Sequence, residues 1–370
     1  MDYTQNNPIP VPLEGPSWEV SSTIQTVFDW RYALERKNIM NLYEKGKALS
    51  WNASDIDWSI PVDIEALTAQ RIRNGHGQVL NGVMKPPTPL NDKEMMQFQL
   101  NINAFLLSQF LHGEQGALVA TARIVQSVPW EEAKFYAANQ VADEARHVEV
   151  YHRYLTEKLG FSYPCVPSLA TLLGRIMGDP RWDITFLGMQ IMVEGLALAA
   201  FSVTRMQMAD EPLIQDIITR VMGDESRHVA FGVLALERLY REEMSSTDLR
   251  EREDFVIEAT ELLRERLLLT PVFEQLGFEP EVWTEWSRNT PFMRGFRQLM
   301  FAKIVPNLKR LGLLTPRVRA AYEKMDLLKY EHGKDSIEEA EPPPPTELVE
   351  LLMQFMQAQA VATAPSTASS

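Results

Sequence analysis

The chain has a single cysteine, Cys165, among its 370 residues. An internal disulfide, a four-cysteine or CxxC metal site and a fused rubredoxin-type iron centre are therefore excluded. Positive charge is also scarce: 36 Lys and Arg stand against 50 Asp and Glu, a formal charge of -14, and the basic residues form no stripe. Phosphate-driven attraction lacks its footprint, so no nucleic-acid partner is expected. No glycine-rich nucleotide fingerprint is present. The most apolar stretch, Ile184 to Ala200, carries Glu194; a membrane span wants ~20 nearly charge-free residues, so this reads as a buried helix and no membrane span is expected. The opening MDYTQNNPIPVPLEGPSW has no basic region followed by an apolar one. It does not read as a secretory signal, and the expected location is cytoplasmic.

What is present is helical periodicity. Hydrophobic residues make up 45% and charged residues 23%, the balance of an ordinary globular chain. Period-2 runs are almost missing, and proline-containing breaks at Pro86–Pro89, Pro129, Pro164–Pro167, Pro180, Pro212, Pro271 and Pro342–Pro345 separate long segments of helical period. The pattern predicts an all-α chain with helices over Trp18–Leu49, Asp63–Arg73, Asp92–Val128, Trp130–Leu159, Asp183–Ala209, Glu211–Met244, Leu249–Leu269, Glu281–Leu311 and Pro316–Tyr330. It predicts one helical domain over residues 1–337, with its core at 92–244. Residues 338–370 read as a proline-rich linker, a short amphipathic stretch containing Leu348, Leu351, Leu352, Phe355 and Met356, and a disordered tail.

The central segment repeats itself. Each half is a helix bearing one Glu, a break, and a helix bearing Asp-Glu-x-Arg-His. Glu114 and Glu194 are 80 residues apart, while Glu144 and Glu225, and His147 and His228, are each 81 apart. A Glu and a His three residues apart share one helix face, so each pair can reach a common ion. Alone, that spacing is weak. Glu114 and Glu194 sharpen it, because each is the sole acid on an apolar stripe, between Met95 and Trp130 and between Ile184 and Ala209. A lone buried carboxylate costs several kcal/mol unless it is paired or binds a cation. The order Glu, ExxH, Glu, ExxH is the ligand pattern of di-metal helical bundles. Oxygen donors with two imidazoles favour iron or manganese. Asp143 and Asp224 are candidates to bond the outer nitrogen of the histidine in the opposite hairpin. Arg146 and Arg227 either support that arrangement or form plain core ion pairs with the acids.

These residues, Glu114, DEARH at 143–147, Glu194 and DESRH at 224–228, resemble the di-iron carboxylate branch of the ferritin-like superfamily over about Asp92 to Tyr240. The branch includes ribonucleotide reductase small subunits and related oxidases and oxygenases. The resemblance implies a ferritin-like four-helix bundle with flanking helices and two metal ions, iron with iron, or manganese with iron. It implies O2-dependent oxidation of a small or medium organic substrate by hydroxylation, N-oxygenation, desaturation or cleavage. A separate reductase or ferredoxin as electron donor and a homodimer are expected with it. Tyr151, four residues after His147, matches the radical tyrosine of ribonucleotide reductase small subunits, which makes a radical-generating role the first alternative. Iron storage or detoxification is the second. Ala197 and Leu198 stand where monooxygenases and desaturases often carry threonine, and Val221 where N-oxygenases add a histidine. His112 and His152 are expected to be structural or solvated; His76, in the RNGHGQ loop, could cover the pocket, but nothing in the sequence requires it.

Overall fold

The computed structural model describes residues 18–73 and 84–339. His76 and the stretch after Glu339, including most of the expected linker, the amphipathic stretch and the tail, lie outside the described residues. Among those described there is no β-strand, and the all-α expectation holds.

Four long helices form the core. They are α3 (Asp92–Ser127), α4 (Glu131–Tyr154), α6 (Trp182–Gln207) and α7 (Pro212–Arg238). Preceding them are α1 (Lys37–Ala48) and α2 (Ile64–Arg71), with α5 (Pro167–Gly178) between the two halves. Helix α3 packs on α4, α4 on α7, α7 on α6, and α6 back on α3, which closes the ring. Local chemistry sets the boundaries. Asn91 accepts from the backbone N–H of Lys93 and Glu94 while Glu94 accepts from Asn91, a reciprocal cap that starts α3. Glu211 caps α7 by accepting from Leu213 and Ile214, and its carboxylate also accepts from the Tyr154 hydroxyl at 2.9 Å, which ties the start of α7 to the end of α4.

Helix α6 is long and apolar enough to cross a membrane by composition, yet 94% of its most apolar window is buried inside the protein. It is a core helix, and it is not regular: Leu187–Val193 forms π-helical turns that end at Glu194. π turns in an α-helix often accompany functional residues. A wider turn shifts the register of the side chains that follow, which here begin with Glu194.

Flanking helices cover this core. Helix α1 lies across α4 and α7. After α7 come α8 (Ser246–Glu265), α9 (Thr270–Gln275), α10 (Pro280–Asn289), α11 (Pro291–Leu299), α12 (Ile304–Arg310) and α13 (Pro316–Lys324).

Three sequence expectations need correction. The helix expected over Trp18–Leu49 begins only at Lys37. Its upstream part runs as irregular chain, with Val27 N–H bonded to the Gln126 carbonyl at 3.0 Å and Arg36 N–H to the Glu132 carboxylate at 2.7 Å. The SSTIQTV stretch is rich in β-branched and hydroxyl residues that lose χ1 freedom or compete for backbone bonds, so long-range contacts win there. Glu281–Leu311 is three helices instead of one; Pro291 lacks an N–H, and Thr290 before it is forced to an extended ψ of 128°. Pro316–Tyr330 is helical only to Lys324, followed by a 3-10 turn over Leu328–Tyr330. Helices α5 and α9 had no counterpart among the predicted segments.

Candidate metal centre

Each of the four core helices delivers its acidic residues to one level of the bundle. Glu114 lies mid-way along α3, Glu144 and His147 on α4, Glu194 where the π turns of α6 give way to regular helix, and Glu225 and His228 on α7. All six are at most 5% exposed. Ligand atoms of Glu114, Glu144, His147 and Glu225 lie within 4.8 Å of one another, and so do those of Glu144, Glu194 and His228. Glu144 belongs to both groups. Two adjoining ligand sets therefore share a carboxylate.

The histidines are oriented alike. Nδ1 of His147 faces Glu114 at 3.3 Å, Glu144 at 3.4 Å and Glu225 at 3.2 Å, while its Nε2 lies 3.1 Å from Asp224. Nδ1 of His228 faces Glu144 at 3.1 Å and Glu225 at 3.6 Å, while its Nε2 lies 3.2 Å from Asp143. Each outer nitrogen thus meets the aspartate of the other hairpin. Such a bond fixes the tautomer and aims Nδ1 inward. Arg146 pairs with Asp143 and Arg227 with Asp224, one helical turn apart on their own helices. Both arginines consequently neutralise the aspartates and leave the inner glutamates alone.

Those glutamates are short of partners. Glu144 Oε2, Glu194 Oε2, both oxygens of Glu225 and Nδ1 of His228 are buried without a well-formed hydrogen bond. Buried polar groups are satisfied in the great majority of cases, so a cluster of orphans with all lone pairs converging marks a place for a cation. The chemistry of the donors agrees: four carboxylates and two imidazoles suit hard or borderline divalent ions such as iron and manganese.

Proton affinities follow from the crowding. Burial, then the charge of Glu225, push Glu114 up to about 8. Glu194 is raised well above the ordinary carboxylate range by burial, then by Glu225 and Glu144. Burial also pushes Glu144 upward, but the two histidines outweigh it and hold this carboxyl below its usual range. Burial would neutralise His147 and His228, yet the surrounding carboxylates win and raise both well above the ordinary imidazole value.

Sequence reasoning passed over several contributors. Trp51, following α1, donates from Nε1 to Asp224 at 2.7 Å and stacks near the His147 ring at 6.3 Å. No local pattern announces it. Gln140 donates from Nε2 to Glu144 at 2.9 Å and Glu194 at 3.1 Å; its place four residues before Glu144, on the same face, was the available signal. Its counterpart in the second half is Val221, which makes the pseudo-symmetric centre unequal.

Tyr151 is fully buried, its hydroxyl has no partner, and its ring lies 6.0 Å from those of both Phe110 and Phe201. Burial, then the charge of Glu114, raise its hydroxyl well above the usual phenol value. His112 Nε2 sits 2.9 Å from the Tyr163 carbonyl and His152 is exposed, both away from the cluster. A small cavity of about 10 Å³, room for about one water, lies beside the glutamates and is lined by Glu114, Glu194, Glu225, Phe110, Ala197 and Phe201 among others.

No family model and no curated protein matches the chain. Among solved structures it is similar to the dimanganese(II) NrdF of Streptococcus sanguinis, at 14% identity over 80% of this chain and 99% of that one, with a TM-score of 0.49. It is also similar to two variants of an R2-like ligand-binding oxidase with an anaerobically reconstituted Mn/Fe cofactor. One is 18% identical over 74% of this chain and 92% of its own, with a TM-score of 0.42. The other is 18% identical over 70% and 92%, with a TM-score of 0.40.

Proposed function

We propose that this chain is a non-haem di-metal oxidoreductase that uses O2 to oxidise a small or medium organic substrate. The observation that carries the reading is the converging set of partnerless carboxylate oxygens, faced by two inward Nδ1 atoms whose outer nitrogens are held by Asp224 and Asp143. Glu114, Glu144, His147 and Glu225 would hold one ion and Glu144, Glu194 and His228 the other. Two such ions supply O2-dependent redox chemistry that the side chains here lack.

The protein's own part is positional. Asp143 and Asp224 keep both imidazoles aimed, Gln140 orients Glu144 and Glu194 through its amide, and the walls of Phe110, Ala197 and Phe201 exclude water from the side where a substrate would lie. A site whose carboxylates can exchange partners accommodates changes in ion charge without moving the helices. Electrons would come from a separate reductase or ferredoxin, and the working unit would be a homodimer in the cytoplasm. An iron pair is the first choice and a manganese–iron pair the alternative.

The test is spectroscopic. Full-length protein given two equivalents of ferrous iron without oxygen is expected to retain two ions per chain. On exposure to O2 it should convert to a coupled ferric pair visible by Mössbauer spectroscopy. Protein that retains no metal, or a single isolated ion, defeats the reading. A second reading, a radical-generating subunit, draws on the buried and partnerless hydroxyl of Tyr151; a tyrosyl resonance that disappears in Tyr151→Phe would favour it over substrate oxidation.

A further inference from the structure

The repeat that builds the centre is broken at one buried position. Gln140 on α4 stands four residues before Glu144; 81 residues on, the matching position before Glu225 is Val221 on α7. Both are fully buried. Gln140 Nε2 donates to Glu144 Oε1 at 2.9 Å and to Glu194 Oε1 at 3.1 Å, so one amide joins a carboxylate of its own helix to one of α6. Val221 has no donor to offer, and both oxygens of Glu225, one turn further along α7, are buried without a hydrogen bond.

Packing does not ask for an amide there. Gln140 Oε1 is buried with no partner, and an unanswered carbonyl costs free energy that a hydrocarbon side chain such as that of Val221 avoids. What the amide secures is Glu194. Among the described residues Glu194 accepts this one hydrogen bond while its Oε2 accepts none, and it lines the small cavity, where a freed carboxylate has space to turn. Glu144 has other company, Nδ1 of His147 at 3.4 Å and Nδ1 of His228 at 3.1 Å. The ligand groups differ in the same sense. Glu194 belongs to the group with Glu144 and His228, whereas the other group brings four ligands within 4.8 Å of one another without it.

We infer that Gln140 is a positioning residue for one ion of the pair: it braces Glu194 against Glu144 and makes the two sites unequal. The group of Glu114, Glu144, His147 and Glu225 then fills first, and the group of Glu144, Glu194 and His228 fills second. The first site is complete without the amide. The second is assembled across α4, α6 and α7 from three side chains, one of which, Glu194, leaves the π turns of α6 held by the Gln140 amide. A hydrogen bond that orients a ligating carboxylate is worth about 10–100-fold in metal affinity, and here it falls on one site. The inference rests on the di-metal reading, and the experiment scores the two separately.

Full-length protein is titrated without oxygen with isotopically enriched ferrous iron, and each addition is followed by Mössbauer spectroscopy and by competition with a chromophoric chelator. One equivalent is expected to give one quadrupole doublet and a second equivalent another, the later doublet being the one absent in His228→Gln. Gln140→Met, similar in length but with no N–H, should bind the first ion as the wild type does and the second roughly 10–100-fold more weakly, with the second doublet alone shifted. If Gln140→Met does not fold, Gln140→Asn is read instead. It keeps an amide one methylene too short to span both carboxylates, and the same loss at the second ion is expected. Two doublets of equal weight at one equivalent, an equal loss of both ions in the variant, an undiminished second ion, or loss of the earlier doublet in His228→Gln would each overturn the inference and leave the di-metal reading intact. Wild-type protein that takes up no ions, or one alone, overturns both.

Discussion

Asp224 accepts from three directions: Trp51 Nε1, His147 Nε2 and the Arg227 guanidinium. Removing its charge frees the His147 ring to turn. Asp224→Asn is expected to weaken metal binding roughly 10–100-fold while leaving the helical content unchanged, as competition with a chromophoric chelator would reveal. The protons held at the centre give a second expectation. Glu114, raised to about 8, and Glu194, His147 and His228, all raised well above their ordinary values, hold their protons more tightly than free side chains do. Glu144 is lowered and carries none. Incoming ions must displace those protons, so apparent affinity rises with pH between about 6 and 8, and uptake releases protons. Calorimetry in buffers of different ionisation enthalpy measures the release; uptake without proton release would contradict the raised proton affinities of the centre.

The two hairpins differ four residues after the ligating histidine. Tyr151 follows His147 by four residues in the first half, and Gly232 follows His228 by four in the second. A Cβ at Gly232 would lie 2.6 Å from Gln190 Cβ and 3.2 Å from Ile191 Cδ1, both in the π segment that precedes Glu194. The glycine therefore admits the backbone of the widened turn. Gly232→Ala should force α6 outward, cost about 1–3 kcal/mol in a urea unfolding experiment, and lower metal affinity by displacing Glu194. A stable variant with unchanged affinity would show that the turn relaxes freely. The same contrast explains an uneven sequence reading. Caps and proline breaks marked the ends of α3 and α7 because their causes are local, whereas the π turns were hidden because they depend on which neighbour stands across the interface.

Across the whole molecule, the centre concentrates four buried glutamates that repel one another, which raises the proton affinity of Glu114 and Glu194. Ions that bind the folded chain and not the unfolded one should stabilise it by about 2.7 kcal/mol at a free concentration of 100 times Kd. The melting temperature is accordingly expected to rise on loading and fall again with chelator. The flanking helices have a different task. The chain after α1 brings Trp51 to Asp224 beside the His147 ring, and the end of α8 brings Arg266 to the wall of the small cavity next to Glu114, Glu194 and Glu225.

The sequence by itself determined the all-α class, the tandem hairpins and the convergence of Glu114, Glu144, His147, Glu194, Glu225 and His228. Helical period and the 81-residue repeat encode these directly, and an acid standing alone on an apolar stripe has few places to go. It also pointed to the crossed Asp–His partnerships, because an Asp stands immediately before the Glu of ExxH in both hairpins. Only the tertiary structure decided that Trp51 joins Asp224, that α6 widens before Glu194, that residues 18–36 leave the helical path, and that Arg266 enters the cavity wall. Each of these depends on contacts between residues far apart in the chain, 173 positions for Trp51 and Asp224 and 157 for Arg266 and Gln109. No local periodicity reports such a meeting, since it is the packing of whole helices that brings those residues within reach.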